Sequence, residues 1–152
     1  MAVPRPGVQE RILLHLRDYI DHADKVEVPF ALSQMGIANA VAIARSNVPR
    51  AIAGMREQGH LIERQAHVTG VSRKRKAYFL TEEGANIAND IWAKVSTQQV
   101  RLVHPDGRSE TLELAQALES TDLPMRHVDF LRYLDDTGTV DLSTLSPELI
   151  ER

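Results

Sequence analysis

The side chains best suited to chemistry in this sequence are arginines and lysines, which concentrate in one stretch of the chain. Guanidinium and ammonium groups donate charge-assisted hydrogen bonds to phosphate and carboxylate oxygens, so such a cluster favours an anionic partner. Only Glu57 and Glu63 oppose it, which gives residues 43–76 a net charge of +6. The basic residues of this stretch are Arg45, Arg50, Arg56, Arg64, Arg73, Lys74, Arg75 and Lys76.

The charge of the whole chain points the other way. The 152 residues carry a formal net charge of −3 and have a pI of about 6.1, which argues against nucleic acid as a partner. Residues 103–152, however, hold eleven acidic side chains against four basic ones, a net charge of −7. The average therefore conceals a basic and an acidic region, and the basic region remains a candidate surface for nucleic acid.

What the sequence lacks excludes several classes of protein. It has no cysteine, which rules out disulfides, thiolate metal sites and a cysteine nucleophile. Its six histidines form no i, i+4 pair with a carboxylate at zinc-hydrolase spacing, and there is no Gly-x-Ser-x-Gly, Gly-x-Gly-x-x-Gly or phosphate-binding glycine loop. We therefore predict a protein that is not an enzyme and that needs neither a metal nor a cofactor.

Targeting signals are also missing. The first ten residues contain two prolines and a glycine and little that is apolar, which is not typical of a signal peptide. No apolar run approaches the ~18 residues that a membrane span needs. The sequence therefore predicts a cytoplasmic protein without a membrane-spanning segment.

Hydrophobic periodicity predicts the first elements that position the basic residues. Apolar side chains recur every three or four residues over positions 8–20, which indicates an amphipathic helix with Arg11 on its polar face. Residues 25–30 alternate and contain a proline, which is typical of a short strand at a sheet edge. A second helix is expected to begin near Ser33, whose hydroxyl can accept hydrogen bonds from the first turn.

A third helix is predicted over residues 46–58. Ser46 is its expected N-cap, and Pro49 falls in the first turn, where a missing N–H group costs little. At 100° per residue, Val48, Ile52 and Met55 share one side. The opposite side carries Ser46, Arg50, Ala53 and Glu57.

A basic hairpin is predicted directly after that helix. Residues 61–68 and 76–80 alternate like strands, and the turn between them is followed by Arg73–Arg75 at the tip. Thr81 then caps a fourth helix, which has two carboxylates in its first turn. A helix pair joined by a tight turn and followed by a basic hairpin is typical of a winged helix-turn-helix that binds DNA.

The predicted contacts with DNA follow from this arrangement. The third helix fits a major groove, where Ser46, Asn47 and Arg50 read base edges, while Arg45 and Arg56 lie nearer the flanks and meet phosphates. The residues expected to hold the backbone or the minor groove are Arg73, Lys74, Arg75 and Lys76. The fold class is therefore predicted to be mainly α with a small β-hairpin, an α+β winged helix followed by a small acidic region.

We place the predicted domain boundary after residue 98. Residues 1–98 form the winged helix, and residues 99–152 form an accessory region made of a hairpin, or a strand leading into a helix, around the turn His104–Gly107. A further helix is expected from Asp122, with one more helical turn near Ser146. The single tryptophan, Trp92, either belongs to the core or packs against a second subunit, and a homodimer is favoured because two half-sites multiply affinity.

Residues 28–84 resemble the archaeal winged-helix transcription regulators of the MarR or ArsR kind. The segments that carry the resemblance are Val28–Val41, Asn47–Ile52 and His67–Gly84. It implies a positioning helix over 33–41, a recognition helix over 46–58 and a wing over 61–80, and some related modules are thought to govern motility genes. Ala42 stands where such proteins are expected to have glycine.

Three functions follow from the sequence. The first is a sequence-specific regulator of transcription that binds double-stranded DNA, with the acidic region serving dimerisation, effector sensing or a protein partner. The alternative is a winged helix used as a protein-interaction adaptor without DNA binding. RNA binding is the third, and it has less support because Tyr78 and Phe79 are the only aromatic residues near the basic tip.

Overall fold

The computed structural model describes residues 6–121 and 125–145. Contacts along the chain group Gly7–Ile91 into one compact unit, which we call the winged-helix unit. From Trp92 onward the residues belong to a second compact unit, so the contact grouping changes within a helix, before the boundary predicted after residue 98. No helix in the described ranges is long and apolar enough to cross a membrane.

The winged-helix unit combines helices with a small sheet. Its elements are α1 (Val8–Arg17), β1 (Glu27–Val28), α2 (Gln34–Val41), α3 (Val48–Glu57), β2 (Leu61–Val68), β3 (Arg75–Leu80) and α4 (Glu82–Ser96), the last of which extends beyond the unit. Strand β1 runs parallel to β2, and β2 runs antiparallel to β3, in the order β1-β2-β3. This element order and sheet are those of a winged helix-turn-helix, and they confirm the predicted α+β fold class.

Helix α1 is shorter and more deeply packed than its periodicity predicts. It ends at Arg17 and is followed by a separate 3₁₀ turn, Ile20–His22, rather than continuing to residue 20. Arg11, predicted on the polar face, is buried, and its Nη1 donates to the carbonyl oxygen of Val41 at 2.8 Å. The guanidinium thereby satisfies a carbonyl at the end of α2, which an apolar side chain at this position cannot do.

Helix α2 begins where the sequence predicts. Ser33 is the N-cap, and its hydroxyl accepts a hydrogen bond from the backbone N–H of Gly36 at 3.1 Å. A Cβ on Gly36 would lie only 2.0 Å from the carbonyl oxygen of Phe30, so only glycine fits there. The helix ends at Ala42, whose φ of 58° is left-handed, the conformation for which glycine is usual. The turn therefore keeps its glycine-like geometry although an alanine occupies it.

The start of α3 differs from its prediction. Residues Arg45–Asn47 form a 3₁₀ turn, Asn47 occupies the N-cap position, and the helix proper begins at Val48. The expected Ser46 cap is wrong because neither N–H that it could accept is available: the N–H of Val48 donates to the carbonyl oxygen of Arg45, and Pro49 has none. The predicted faces are confirmed, because Val48, Ile52 and Met55 are buried.

The hairpin and the start of α4 confirm the sequence pattern closely. Leu61 pairs with Leu80 and Ala66 with Arg75, so the strands lie in register along their length. Thr81 accepts a hydrogen bond on its hydroxyl from the N–H of Gly84 at 3.0 Å, as a cap should.

The second unit has a small sheet of its own. Its elements are β4 (Gln99–Val103), β5 (Ser109–Glu113), α5 (Leu114–Ser120), α6 (His127–Leu131) and β6 (Thr139–Asp141). The sheet order is β5-β4-β6, with β4 antiparallel to β5 and parallel to β6. The two predicted alternatives, a hairpin and a strand leading into a helix, are both present, because β4 and β5 pair and β5 leads directly into α5. The caps expected at Asp122 and Ser146 lie outside the described residues.

Candidate nucleic-acid interface

The outer face of α3 and the turn before it is polar and solvent-exposed. Arg45, Ser46 and Asn47 lie on the 3₁₀ turn, Arg50 lies in the first turn of the helix, and all four are exposed. Within the described part of the chain, neither Arg45 nor Arg50 forms a hydrogen bond or an ion pair through its side chain. Two unpaired guanidinium groups therefore project from the helix that the buried residues Val48, Ile52 and Met55 anchor to the core.

The hairpin turn and the first two residues of β3 supply four more cations. Arg73, Lys74, Arg75 and Lys76 are all exposed, and no carboxylate of the described residues forms an ion pair with them. Gly70, with a φ of 83°, forms part of the turn that leads to them. Four adjacent like charges without counter-ions repel one another, and an external anion relieves that repulsion.

Arg56 has an internal partner, unlike the other predicted contacts. Its Nη1 lies 3.5 Å from Oε1 of Glu63 on β2, and the two side chains are 48% and 20% exposed. An ion pair this exposed stabilises the fold little. Its main effect here is to hold Arg56 against the hairpin, so Arg56 stands apart from the unpaired cations of the interface.

A buried hydroxyl joins the three parts of the helix-turn-helix and wing. Nε2 of Gln34 on α2 donates to Oη of Tyr78 at 3.0 Å, and Tyr78 donates to Oε1 of Glu63 at 2.8 Å, the same oxygen that faces Arg56. Burial raises the pKa of the Tyr78 hydroxyl, the hydrogen bond from Gln34 opposes that rise and Glu63 adds to it. This network, from Gln34 through Tyr78 and Glu63 to Arg56, fixes α2, α3 and the wing relative to one another. The sequence shows Tyr78 as one more apolar-face residue of a strand, and nothing in its spacing identifies the network.

Arg64 belongs to the fold rather than to the interface. Its guanidinium donates to the carbonyl oxygens of Ala23 at 3.0 Å and Lys25 at 2.6 Å, and it lies 4.4 Å from the centroid of the Phe79 ring. Three such contacts hold the loop before β1 against the hairpin. Arg64 therefore contributes to the charge count of residues 43–76 without offering its charge to a partner.

The aromatic residues near the basic tip do not form a stacking platform. Tyr78 is 1% exposed and Phe79 is 2% exposed, so neither presents a ring face to solvent. Single-stranded nucleic acid is bound largely through exposed aromatic rings, and this hairpin offers none at these two positions. Among the described residues there is also no group of three or more histidine or acidic side chains placed to hold a metal ion.

Comparisons with known proteins return solved structures only. No family model matches the chain, and no curated protein matches it. A mutant of ZitR from Lactococcus lactis in its apo form is 23% identical over 57% of this chain and 55% of its own, with a TM-score of 0.44. A mutant of MepR from S. aureus is 17% identical over 59% of this chain and 57% of its own, also with a TM-score of 0.44.

These similarities are partial in extent. The chain spans a little over half of the length of the ZitR and MepR chains that it matches. The archaeal part of the resemblance seen in the sequence stays a prediction.

Proposed function

We propose that this protein is a regulator of transcription that binds double-stranded DNA in a sequence-specific manner and acts by binding, without catalysis. The turn Arg45–Asn47 and helix α3 enter the major groove, and the wing lies on the backbone or in the adjoining minor groove. This is the docking that a helix-turn-helix with a basic hairpin allows.

The observation that carries the proposal is the set of six exposed cations that have no hydrogen-bond or ion-pair partner among the described residues. They occupy two adjacent parts of one compact unit, the start of α3 with the turn before it and the wing from its turn into β3, while Arg56 and Arg64 of the same segment are held internally. A fold that engages some of its cations and leaves six exposed favours an extended polyanion. The six are Arg45, Arg50, Arg73, Lys74, Arg75 and Lys76.

Each residue has a distinct proposed role. Ser46, Asn47 and Arg50 contact base edges, since side chains on the turn before a recognition helix and in its first turn reach the floor of the major groove. Arg45 and the wing cations contact phosphates, which carry no sequence information but set the position of the protein. Arg56 is a secondary phosphate contact, available once its exposed ion pair with Glu63 opens.

We also propose that the protein binds DNA as a homodimer, because one winged helix makes few contacts and two half-sites multiply affinity. The second unit provides dimerisation, effector sensing or a protein contact.

Binding to a random-sequence duplex, followed by fluorescence anisotropy over a series of salt concentrations, tests the proposal. If a dimer neutralises about 6–10 phosphates, affinity falls on the order of 10³–10⁵-fold between 50 and 200 mM salt. Absence of binding at low salt and tens of micromolar protein contradicts DNA binding and favours the adaptor function. Genomic immunoprecipitation of the tagged protein then identifies the operator and the genes governed.

A further inference from the structure

An open cleft of about 680 Å³ lies within the winged-helix unit, between the start of α2 and the wing. Four of the residues that line it are basic, namely Arg45 of the 3₁₀ turn and Lys74–Lys76 of the wing. Among the residues that the structure describes, no aspartate or glutamate lines it. The cleft is therefore a place where cations from two elements converge without a counter-charge.

The same cleft has an apolar part. Phe30 and Met35 are 41% and 42% exposed, although large apolar side chains in the described chain are mostly buried, and Val71 lies with them. A small inorganic anion makes no favourable contact with such an apolar surface. The deoxyribose of a nucleic-acid strand packs against an apolar surface through its C–H groups, which alternate with phosphates along the backbone.

We infer that this cleft binds one sugar–phosphate strand of a DNA duplex, with phosphates on Arg45, Lys74 and Lys76 and deoxyribose against Phe30 and Met35. The inference rests on the proposed DNA-binding function and extends it to residues of α2 and the turn before it, to which no role has been given. It also separates the two unpaired arginines near α3. Arg45 faces the cleft and binds backbone, whereas Arg50 lies outside the cleft lining and is left to read bases.

Met35 allows a test that does not depend on removing a cation. It is the second residue of α2, where a carboxylate is favourable at the positive end of the helix dipole, so Met35→Glu should fold. Ile62 on β2 is a matched control, because it is an apolar residue of the same unit with a similar exposure of 45% and lies outside the cleft. Thermal unfolding by circular dichroism verifies that both variants are folded.

The Kd for a random-sequence duplex is then measured by anisotropy over a salt series. Met35→Glu is expected to raise the Kd about tenfold or more, because a carboxylate now faces the phosphates, and Ile62→Glu to change it less than about twofold. Arg45→Gln is expected to lower the salt slope by about 1, whereas Lys25→Gln, which removes an exposed cation of the same unit outside the cleft, leaves it unchanged. These results support the inference.

Three outcomes overturn it, and they are distinguishable. An equal loss of affinity for Met35→Glu and Ile62→Glu shows that the charge acts at long range. This result contradicts binding in the cleft and leaves the proposed function intact. Amide resonances of Met35 and Lys76 that move with inorganic phosphate but not with duplex show a small-anion site instead. Wild-type protein that binds no duplex contradicts the proposed function itself, and the inference falls with it.

Discussion

The two units of this chain use charge in opposite ways. In the winged-helix unit, cations at the start of α3 and on the wing are exposed and pair with none of the described carboxylates. In the second unit, three carboxylates are engaged in turns: Asp106 accepts from the N–H of Arg108, Asp135 from the hydroxyl of Thr137, and Asp141 from the hydroxyl of Ser143. These hydrogen bonds lower the pKa of all three carboxyls. A charge count therefore identifies a binding surface only after the charges that the fold engages have been subtracted.

The strongest test of this contrast removes cations from each unit in turn. Replacing Arg73, Lys74 and Arg75 by alanine should lower affinity for any duplex on the order of a hundredfold and reduce the salt slope by about 3, because three phosphate contacts are lost. The matched triple in the second unit is Lys94→Ala, Arg101→Ala and Arg132→Ala. An equal loss from this second triple, measured by anisotropy, would falsify the assignment of the DNA surface to the winged-helix unit.

A smaller effect is expected from the buried network of the winged-helix unit. Tyr78→Phe keeps the ring but leaves Gln34 and Glu63 without their shared partner, which should lower the free energy of unfolding by about 1–2 kcal/mol. Tyr133→Phe in the second unit is the control. Urea denaturation measures both, and a neutral Tyr78→Phe would mean that water replaces the hydroxyl at no cost.

Extremes of pH should act on different units. The folded pKa values of Asp106, Asp135 and Asp141 lie below the ordinary 3.8. Their contribution to the free energy of unfolding is therefore complete above about pH 4 and is lost as the pH falls through the folded pKa values. The folded pKa of Tyr78 lies above 10.0, so its contribution is lost as pH rises beyond 10.

The single tryptophan makes this separation measurable. The rings of Trp92 and His127 lie 4.6 Å apart within the second unit, so tryptophan fluorescence reports on that unit. We expect the fluorescence to change on acidification before the amide resonances of the winged-helix unit do, and the reverse order in alkali. Simultaneous loss of both signals at each extreme would show that the units unfold together.

Backbone strain also differs between the units. In the second unit the positive φ angles fall on Gly107 and Gly138, whereas the turn after α2 holds Ala42 at a φ of 58°. Ala42→Gly should therefore raise the free energy of unfolding by up to about 1 kcal/mol, and Gly138→Ala should lower it by a similar amount. Thermal unfolding compares the two variants, and a destabilising Ala42→Gly would mean that the flexibility of the unfolded chain outweighs the strain.

The smallest expected effect concerns the acidic surface. Glu119 and Asp136 of the second unit are exposed, and replacing them by Gln and Asn removes two negative charges without disturbing the turn carboxylates. If the second unit weakens the field at the DNA face, binding to a random duplex at low salt should strengthen by about twofold. Unchanged affinity would mean that the acidic unit serves packing or partners alone.

Local patterns predicted much of the fold because the deciding interactions are local. The cap at Ser33, the buried side of α3 and the strands on either side of the wing turn all follow from residues within a few positions of one another. Strand β6 is missed because its three residues pair with β4, more than thirty positions earlier. The Ser46 cap is wrong partly because of the proline three residues later and partly because the N–H of Val48 donates to the carbonyl oxygen of Arg45 in the 3₁₀ turn.

The candidate site was only partly predictable for the same reason. Exposure of the wing cations and of Arg50 follows from turn signals and helix periodicity, and the structure places them as expected. Arg11, Arg56 and Arg64 look equally available in the sequence, but each has its partner thirty, seven or about forty positions away. Only the folded structure shows which arginines have partners within the fold.

The internal position of Arg64 turns a binding curve into a measure of stoichiometry. With Arg64 held by backbone carbonyls and Arg56 by Glu63, residues 43–76 of one protomer offer six unpaired cations. Arg50 is proposed to read bases, so five of the six contact phosphates. At about 0.9 counter-ions released per phosphate contact, one protomer reaches a salt slope of about −4.5 through this segment. A measured salt slope twice as steep then indicates two protomers on the duplex, or cations from outside the segment, without a measurement of mass.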